Sequence, residues 1–524
     1  MSRAADGVEV YREAVLQEQW RIASLVDRNP YSRTRGSFSR THWAWKFEDF
    51  PFPRLQEGVY ALCRFHDLAH GANPMYQSQA VARWIEWGFE YWASLQHRNG
   101  AFDEAYPNEQ CLAATAFTGF YLGSAFLRWR ERLGPALRHR LEHAFGRAGD
   151  WLCHHDETHA LISNHLAAAV VGLEVMARIT GRGEFSVRAT VFLERILQHQ
   201  SAEGWMREYD GADIGYGTHG FFYLAVYWQL TGCPRTLSAL QRFADFLCYF
   251  VHPDGTLGGE YGSRNTEFYY PAGFEILAPV CPASAAIAQH LRAPIRERRV
   301  CGAWAMDQFN LMPMVNNLLF ALDAAASQAD VPAEPLPWQG PGFRRYFPEC
   351  GVWVLNEPRY YAVVGLSKGG TVSVFDKAHR RQTARHAGLL AGVSGRLYTS
   401  QDCTTAPAVR WSADGRQAEL DILWKSLRIP VFSTLGFLAF RLFTVSLGRF
   451  PAISRWVKHL LVAVLIRRKR RPAIKHCRQV RVVEDGLEVE DHLELPTNVS
   501  RLQAAEQFIG VHMGSSMYAD FRAA

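Results

Sequence analysis

The chain has 524 residues, 48% hydrophobic and 13% aromatic, so it can bury large cores and is expected to form two or three domains. That composition excludes a disordered or low-complexity protein. The net charge is only +6, and its basic excess lies in residues 425–472, which hold eleven Lys and Arg and no Asp or Glu.

The N-terminus and the cysteines bear on the cellular compartment. Residues 1–20 have the pattern of an amphipathic helix and lack the apolar core of a signal peptide. The ten cysteines include no CxxC pair and no His/Cys spacing typical of metal ligands, so neither a disulfide framework nor a metal site is predicted. We expect a cytoplasmic protein.

Helical patterns follow one another from residue 7 to about residue 326, eleven or twelve in all. Brief loops alternate with long loops rich in glycine and aromatic residues. Paired helices with functional loops at one end are typical of an α/α toroid, which is predicted for residues 1–330. A helical solenoid is the alternative, although no fixed repeat length is found.

The stretch 203–220, EGWMREYDGADIGYGTHG, lies between two of these helical patterns and is predicted to be a loop because it contains five glycines. A solvated turn would explain it without any function. Acids, phenols and an imidazole on one loop favour a site instead. The residues concerned are Trp205, Glu208, Tyr209, Asp210, Asp213, Tyr216 and His219.

Four other stretches offer polar and aromatic side chains suited to a saccharide site. They are RTHWAWKF with His42, Trp43, Trp45 and Lys46; FDEAYPNEQ with Asp103, Glu104, Tyr106, Asn108 and Glu109; ISNHLAA with Asn164 and His165, which opens a helix; and GSRNTEFYY with Arg264, Asn265, Glu267, Tyr269 and Tyr270.

Two reactions would use these residue types. Glycoside hydrolysis needs two carboxylates, for which Asp103 or Glu104 and Asp213 are candidates. Proton abstraction beside a uronate carboxylate needs a group that neutralises the carboxylate and an acid and a base near the ring. An Asn-His pair, two Tyr and an Arg fit the second reaction better.

Each candidate also has a structural explanation. Asn164 or Ser163 could be a helix N-cap, and His165 could be a core imidazole. Tyr216 could pack its ring under the loop, and Asp103 and Glu104 could bind loop backbone. Arg264 could form an ion pair with Glu260 or Glu267.

Residues 331–344 contain four prolines and are predicted to be a linker. Short β-branched segments follow, and several alternate in polarity. The predicted fold is therefore multidomain: an (α/α) toroid of helical hairpins, then an antiparallel β-sandwich over residues 345–524 with a helical insertion.

That insertion, residues 425–472, combines apolar runs with basic residues. The runs are too short and too interrupted to span a bilayer comfortably. Large apolar residues with basic flanks and no acid favour helices that lie in an anionic membrane surface. An insertion packed onto the toroid, its arginines reaching outward, is the alternative.

Nucleic acid is excluded as a binding partner because the basic residues are interleaved with Leu, Phe and Val in one block.

The architecture and motifs resemble the heparinase II/III-like polysaccharide lyases, in a branch often linked to bacterial envelope polysaccharides. The motifs are THWAWKF, FDEAYPNE, SNHLAA, EGWMREYDGADIGY, GSRNTEFYYPAGFEIL and YYAVVGLSKGGTVSVF. The resemblance implies that Asn164 helps to neutralise a uronate and that Tyr216, or Tyr209 in second place, is the family's tyrosine. Typical members have a His-rich stretch where this chain has Lys368, Gly369 and Gly370, with His379 and His386 further on.

Together these observations predict a lyase that cleaves a uronate-containing bacterial polysaccharide by β-elimination, without a cofactor. Asn164 and Arg264 would hold the carboxylate, and Tyr216 and His165 would exchange protons. A uronate C5-epimerase, a glycoside hydrolase and a non-catalytic glycan-binding assembly component are the alternatives. Since family members often bear signal peptides and this chain shows none, it would act at the inner membrane face. The predicted substrate contacts are Trp43, Trp45, Lys46, Asp103, Glu104, Tyr106, Asn108, Glu109, Trp205, Glu208, Tyr209, Asp213, His219, Asn265, Tyr269 and Lys368.

Overall fold

The computed structural model describes the chain with several gaps, over residues 3–46, 48–157, 161–209, 211–327, 333–402, 407–427, 432–450, 453–454, 456–457, 460 and 471–505. Asp210 of the predicted site lies outside these ranges, as do parts of the basic insertion.

Twelve α-helices of the described part form two concentric rings. The inner ring consists of α2 (Gly58–Asp67), α4 (Leu112–Trp129), α6 (Ser163–Thr180), α8 (Ile214–Thr231), α10 (Ala272–Leu277) and α12 (Gln308–Ala326). The outer ring consists of α1 (Arg3–Leu25), α3 (Gln79–Leu95), α5 (Pro135–His154), α7 (Gly183–Gln198), α9 (Pro234–Leu247) and α11 (Pro282–Arg296). Each inner helix packs on the next and α12 packs on α2, so the ring closes. The toroid is confirmed, and the solenoid alternative is wrong.

The inner helices are buried on nearly all sides, which explains their lack of a polar face. Small residues let them pack closely. A Cβ atom on Gly172 of α6 would lie 3.1 Å from the carbonyl oxygen of Ala116 in α4. The outer helices cover the inner ring with amphipathic faces, as α9 does with Leu240, Phe243 and Leu247.

The C-terminal third of the chain is an antiparallel β-domain, as predicted. One five-stranded sheet consists of β3 (Phe343–Phe347), β4 (Val352–Asn356), β5 (Tyr360–Gly365), β6 (Thr371–Asp376) and β7 (Arg381–His386). A four-stranded sheet consists of β12 (Lys425–Ser426), β9 (Arg396–Thr399), β8 (Leu389–Val393) and β15 (Val499–Ala504). Another consists of β10 (Val409–Trp411), β11 (Gln417–Asp421), β13 (Lys475–Val483) and β14 (Gly486–Glu494).

The three central strands of the five-stranded sheet, β4, β5 and β6, are buried on both faces. Trp353 and Leu355 of β4 face the core shared with the other sheets, whereas Val352 and Val354 join the toroid core. Such double burial accounts for the continuous apolar runs of these strands. The sheet therefore holds the β-domain against the toroid.

The predicted linker is packed rather than extended. Among its described residues, Trp338 is buried in the toroid core, and Asn356 of β4 donates to the carbonyl oxygens of Pro337, Gly340 and Pro341. The last toroid helix ends at Ala326 and the first strand of the β-domain begins at Phe343.

Part of the insertion forms one further helix, α13 (Thr434–Val445). Within the described residues, no helix has both the length and the apolar character needed to cross a membrane.

Candidate active site

The candidate site lies where the inner helices begin. The segments that precede α2, α4, α6, α8 and α10 meet at this end of the toroid, and the β-domain closes one side. Lys368 Nζ lies 3.5 Å from the carbonyl oxygen of Ser263, and Asn265 Nδ2 donates to Gln401 Oε1 over 3.3 Å. Inner-helix N-termini carry partial positive charge, which suits an anionic ligand.

The 203–220 stretch is not one loop, and that prediction is corrected. It forms a short hairpin of β1 (Arg207–Glu208) and β2 (Gly211–Ala212), after which α8 begins at Ile214. Asp213 caps α8, because its carboxylate accepts a hydrogen bond from Tyr216 N over 3.1 Å. Tyr216 and His219 therefore lie on the first two turns of a helix.

Three of the five glycines in this stretch serve close packing of α8 rather than a flexible loop. A Cβ atom on Gly217 would lie 2.7 Å from the Phe243 ring, and one on Gly215 would lie 2.3 Å from Thr266 Oγ1. A Cβ atom on Gly220 would lie 3.4 Å from Asn164 Cα. Since Gly220 is one turn beyond Tyr216, Asn164 packs against the face of α8 that carries Tyr216.

Asn164 and Glu208 form a buried pair. The backbone N and the side-chain Nδ2 of Asn164 each donate to the Glu208 carboxyl over 2.8 Å. Burial raises the pKa of Glu208 to about 8, although His165 and both bonds from Asn164 act to lower it. Glu208 is therefore largely protonated at neutral pH.

Neither Asn164 nor Ser163 caps α6, so the capping explanation is wrong. Ile162 stands at the N-cap position without a side-chain bond, and Ser163 Oγ donates to the carbonyl oxygen of Arg207 over 2.7 Å. The hairpin of β1 and β2 is thus tied to the start of α6.

His165 is half-buried and is oriented by Glu157. Its Nδ1 lies 3.0 Å from Glu157 Oε2. Burial acts to lower the pKa of His165, but the negative charges of Glu157 and Glu104 raise it above its ordinary value. A carboxylate on Nδ1 favours the tautomer in which Nε2 accepts a proton.

Two tyrosines and an arginine form the next part of the site. The Arg264 guanidinium lies 3.8 Å from the centre of the Tyr209 ring, and Tyr209 has a left-handed backbone with φ of 59°. Burial raises the pKa values of Tyr209 and Tyr216, although Arg264 opposes the rise in both. Both phenols are therefore protonated at neutral pH.

Asp213 positions these groups. Its Oδ2 accepts from Arg264 N over 2.8 Å, and its Oδ1 accepts from Thr266 Oγ1 and Tyr216 N. Glu260 and Glu267, the predicted partners of Arg264, both contact Arg385 of the β-domain. The loop that carries Arg264 is thus tied to α8 and to β7.

A second cluster lies beside α2 and α4. Arg54 forms ion pairs with Glu57 at 2.9 Å and Glu104 at 3.1 Å, and its guanidinium lies 4.3 Å from the centre of the Phe117 ring. Phe117 stacks on His219 at 5.8 Å. Burial raises the pKa of Glu57 to about 7; it would also raise that of Glu104, but Arg54 and His165 lower it overall.

His219 has the environment of a core histidine. It stacks on Tyr270 with ring centroids 4.1 Å apart, and its buried Nε2 has no hydrogen-bond partner among the described residues. Burial lowers its pKa well below the ordinary value, and Arg54 and His165 add to this effect. His219 is therefore neutral.

The predicted contacts at 103–109 divide by role. Asp103 accepts from the backbone N of Asn108 and Gln110, and Glu109 accepts from those of Glu104 and Ala105, as expected for groups that hold a loop. Tyr106 and Asn108 instead face α13.

Three aromatic residues predicted to contact substrate are instead packed or hydrogen-bonded within the protein. Trp205 is 7% exposed and donates to Glu203, which binds the β-domain backbone at Glu349 and Cys350. Tyr269 is 1% exposed and packs on Phe274. Trp43 donates its indole N–H to the carbonyl oxygen of Leu25 over 2.8 Å.

Two further predicted contacts lie in one short turn, and the two histidines noted after the Lys368 stretch lie in the β-domain. Trp45 is 67% exposed in a short π-helical turn, Thr41–Trp45, and Lys46 ends that turn with φ of 61°. His379 pairs with Asp376 on an exposed turn. His386 lies 3.3 Å from Arg478, and burial, with Arg478, lowers its pKa to about 4.

Sequence reasoning missed Arg54, Phe117, Glu157, Arg385 and Gln401. Arg54 and Glu157 lie just before inner helices, the position shared by most predicted site residues. A search of every such segment for charged residues would have found both. Within the described ranges, no three His, Cys, Asp or Glu side chains converge to hold a metal ion.

Fold and site together define an α/α-toroid protein with an antiparallel β-domain and a cluster of largely buried polar side chains at one end of the toroid. Residues 49–273 match the family model of the ulvan lyase N-terminal domain. No curated protein matches the chain.

Three solved lyase structures share the fold. A Paenibacillus xanthan lyase matches with a TM-score of 0.51 and 10% identity, over 80% of this chain and 44% of its own. The Streptomyces coelicolor A3 chondroitin AC lyase matches with a TM-score of 0.51 and 13% identity, over 81% of this chain and 64% of the lyase. Heparinase III matches with a TM-score of 0.51 and 9% identity, over 91% of this chain and 70% of heparinase III.

The chain thus spans about half to two thirds of the length of the first two lyases. At such low identities the structural likeness establishes the fold. The predicted resemblance to the toroid polysaccharide lyases is confirmed by the family model and the fold together.

Proposed function

We propose that this protein is a polysaccharide lyase that cleaves a uronate-containing polymer by β-elimination. The matched family model and the shared fold support a lyase that acts on a polysaccharide. The observation that carries the uronate assignment is the buried Asn164–Glu208 pair, an amide and a carboxyl of raised pKa beside His165 and Tyr216.

In this proposal Glu208 sets the direction in which the Asn164 amide points. Ionised Glu208 accepts from Asn164 Nδ2, whereas protonated Glu208 donates its O–H to Asn164 Oδ1 once the amide has rotated. The amide NH2 then donates to a uronate carboxylate in the cleft. Neutralising that carboxylate stabilises the negative charge that grows when the neighbouring proton leaves.

His165 is the proposed base and Tyr216 the proposed acid. Glu157 on Nδ1 makes His165 Nε2 the proton acceptor, and burial keeps the Tyr216 phenol protonated. His165 takes the C5 proton, the C5 electron pair forms the C4–C5 double bond, and the C4–O4 bond breaks. Tyr216 gives its proton to O4, and both groups return to their initial states by exchange with water.

Arg264 supplies positive charge beside both phenols and is proposed to bind the substrate carboxylate from the other side. Hydrolysis by two carboxylates has less support, because Asp103 and Asp213 both bind loop backbone in buried positions.

The test is ultraviolet absorbance of the unsaturated uronate product during incubation with ulvan, xanthan, chondroitin sulphate and heparan sulphate. We expect absorbance to rise with at least one polymer and the Tyr216→Phe variant to abolish the rise. Deuterium exchange at C5 without absorbance would identify a C5-epimerase instead. Chain cleavage without absorbance would identify a hydrolase, and binding without any reaction would identify a glycan-binding component.

A further inference from the structure

Residues 432–460 carry an unusual concentration of exposed apolar side chains. Eleven of the 24 large hydrophobic side chains exposed in the described part of the chain lie in this short stretch. The most exposed include Leu435 at 79%, Leu442 at 68% and Trp456 at 66%. An exposed apolar cluster of this density marks an interaction surface.

The opposite side of α13 is fixed to the loop that precedes α4. Phe440 packs edge-on against Tyr106 with ring centroids 5.1 Å apart, and Asn108 Nδ2 donates to the Thr444 carbonyl oxygen over 2.9 Å. Arg441 pairs with Asp49 at 3.0 Å. Because these residues anchor one face, Leu435, Leu438 and Leu442 on the other face point outward.

Charge identifies the partner. The surrounding residues 425–472 hold eleven Lys and Arg and no acid, and Arg449 is exposed between Leu447 and Phe450. A second copy docked through the same surface would bring two such basic segments together, which is unfavourable. An anionic lipid surface instead accepts apolar side chains and attracts the cations.

We propose that the described residues between 432 and 460, which we call the docking surface, insert into an anionic bilayer to which the basic composition of 425–472 attracts the chain. Because the opposite face of α13 contacts Tyr106 and Asn108, docking holds the loop that precedes α4 about 10 Å from the lipid surface, one helix diameter away. Polymer would then be met at the membrane surface. The docking surface is independent of the proposed reaction, since lipid binding is measured without polysaccharide.

The experiment is co-sedimentation of the full chain with phosphatidylcholine vesicles that contain or lack phosphatidylglycerol. We expect wild-type protein to pellet with the anionic vesicles, to bind neutral vesicles more weakly, and to be released by high salt. The Leu435→Glu/Leu442→Glu variant should bind anionic vesicles at least about tenfold more weakly. Val187→Glu, at an equally exposed position on α7 (67%), is the matched control and should bind normally.

Several results would overturn the proposal: no binding of the wild type to anionic vesicles, equal binding to neutral vesicles, or a double variant that binds as well as the wild type. A lipid-independent dimer that the double variant dissociates would identify a second copy as the partner. Circular dichroism checks folding, and Leu435→Ser/Leu442→Ser replaces the glutamate variant if that variant unfolds.

Discussion

Asn164 and Glu208 are joined by two hydrogen bonds of 2.8 Å, one from the backbone and one from the side chain of Asn164. Asn164 stands in the first turn of α6, whereas Glu208 ends the first strand of the small hairpin before α8. The pair therefore fixes the hairpin against α6 and places a carboxyl of raised pKa beside the Asn164 amide.

The Tyr216→Phe variant removes the proposed acid. We expect kcat to fall by at least about a hundredfold while the protein stays folded, because the ring and its contact with Phe268 are kept. Ultraviolet detection of the unsaturated product measures the rate. Tyr227→Phe, about three turns further along the same helix, is the control and should keep normal activity. Normal activity of Tyr216→Phe would remove Tyr216 from the mechanism.

Glu208 should set the alkaline side of the pH profile. Its pKa is about 8 and its protonated form is the active one, so kcat/KM should fall as pH rises through that value. Glu208→Gln carries a neutral amide at every pH and should lose this alkaline decline while keeping part of the activity. An unchanged decline in the variant would assign that ionisation to another group.

Glu157 should set the acidic side. His165 must be neutral to accept a proton, so activity should be lost as pH falls through its raised pKa. In Glu157→Gln the pKa of His165 is lower, which moves the acidic decline to lower pH and reduces kcat because His165 is a weaker base. The pH dependence of kcat/KM measures both effects. If the decline does not move, His165 is not the base.

The ion pairs of Arg54 with Glu57 and Glu104 should contribute to the free energy of unfolding. Arg54→Met leaves Glu57 and Glu104 without their shared cation in a largely buried place. We expect the free energy of unfolding to fall by about 3 kcal/mol, measured by urea denaturation. Arg182→Met removes the surface pairs with Asp150 and Glu184 and should cost less than about 1 kcal/mol. Equal effects would show that Arg54 is not held in a buried network.

Periodicity predicted the toroid, its order before the β-domain, and the start of a helix at the ISNHLAA motif. The same reasoning assigned the glycines at 215, 217 and 220 to a loop, although each lies where a helix packs against a neighbour. A glycine needed for a turn and one needed for close packing look alike in a sequence. The distinction depends on neighbours such as Phe243 and Thr266, which are distant in the chain.

The sequence by itself determined the order of helices and polar segments in the toroid, because that alternation is a local pattern that backbone geometry imposes. It also determined the basic and apolar character of the insertion. Only the tertiary structure decided which residues meet: Asn164 with Glu208, His165 with Glu157, and Arg264 with Tyr209. Closure of the inner ring brings these distant segments together, and burial inside the ring then shifts their pKa values.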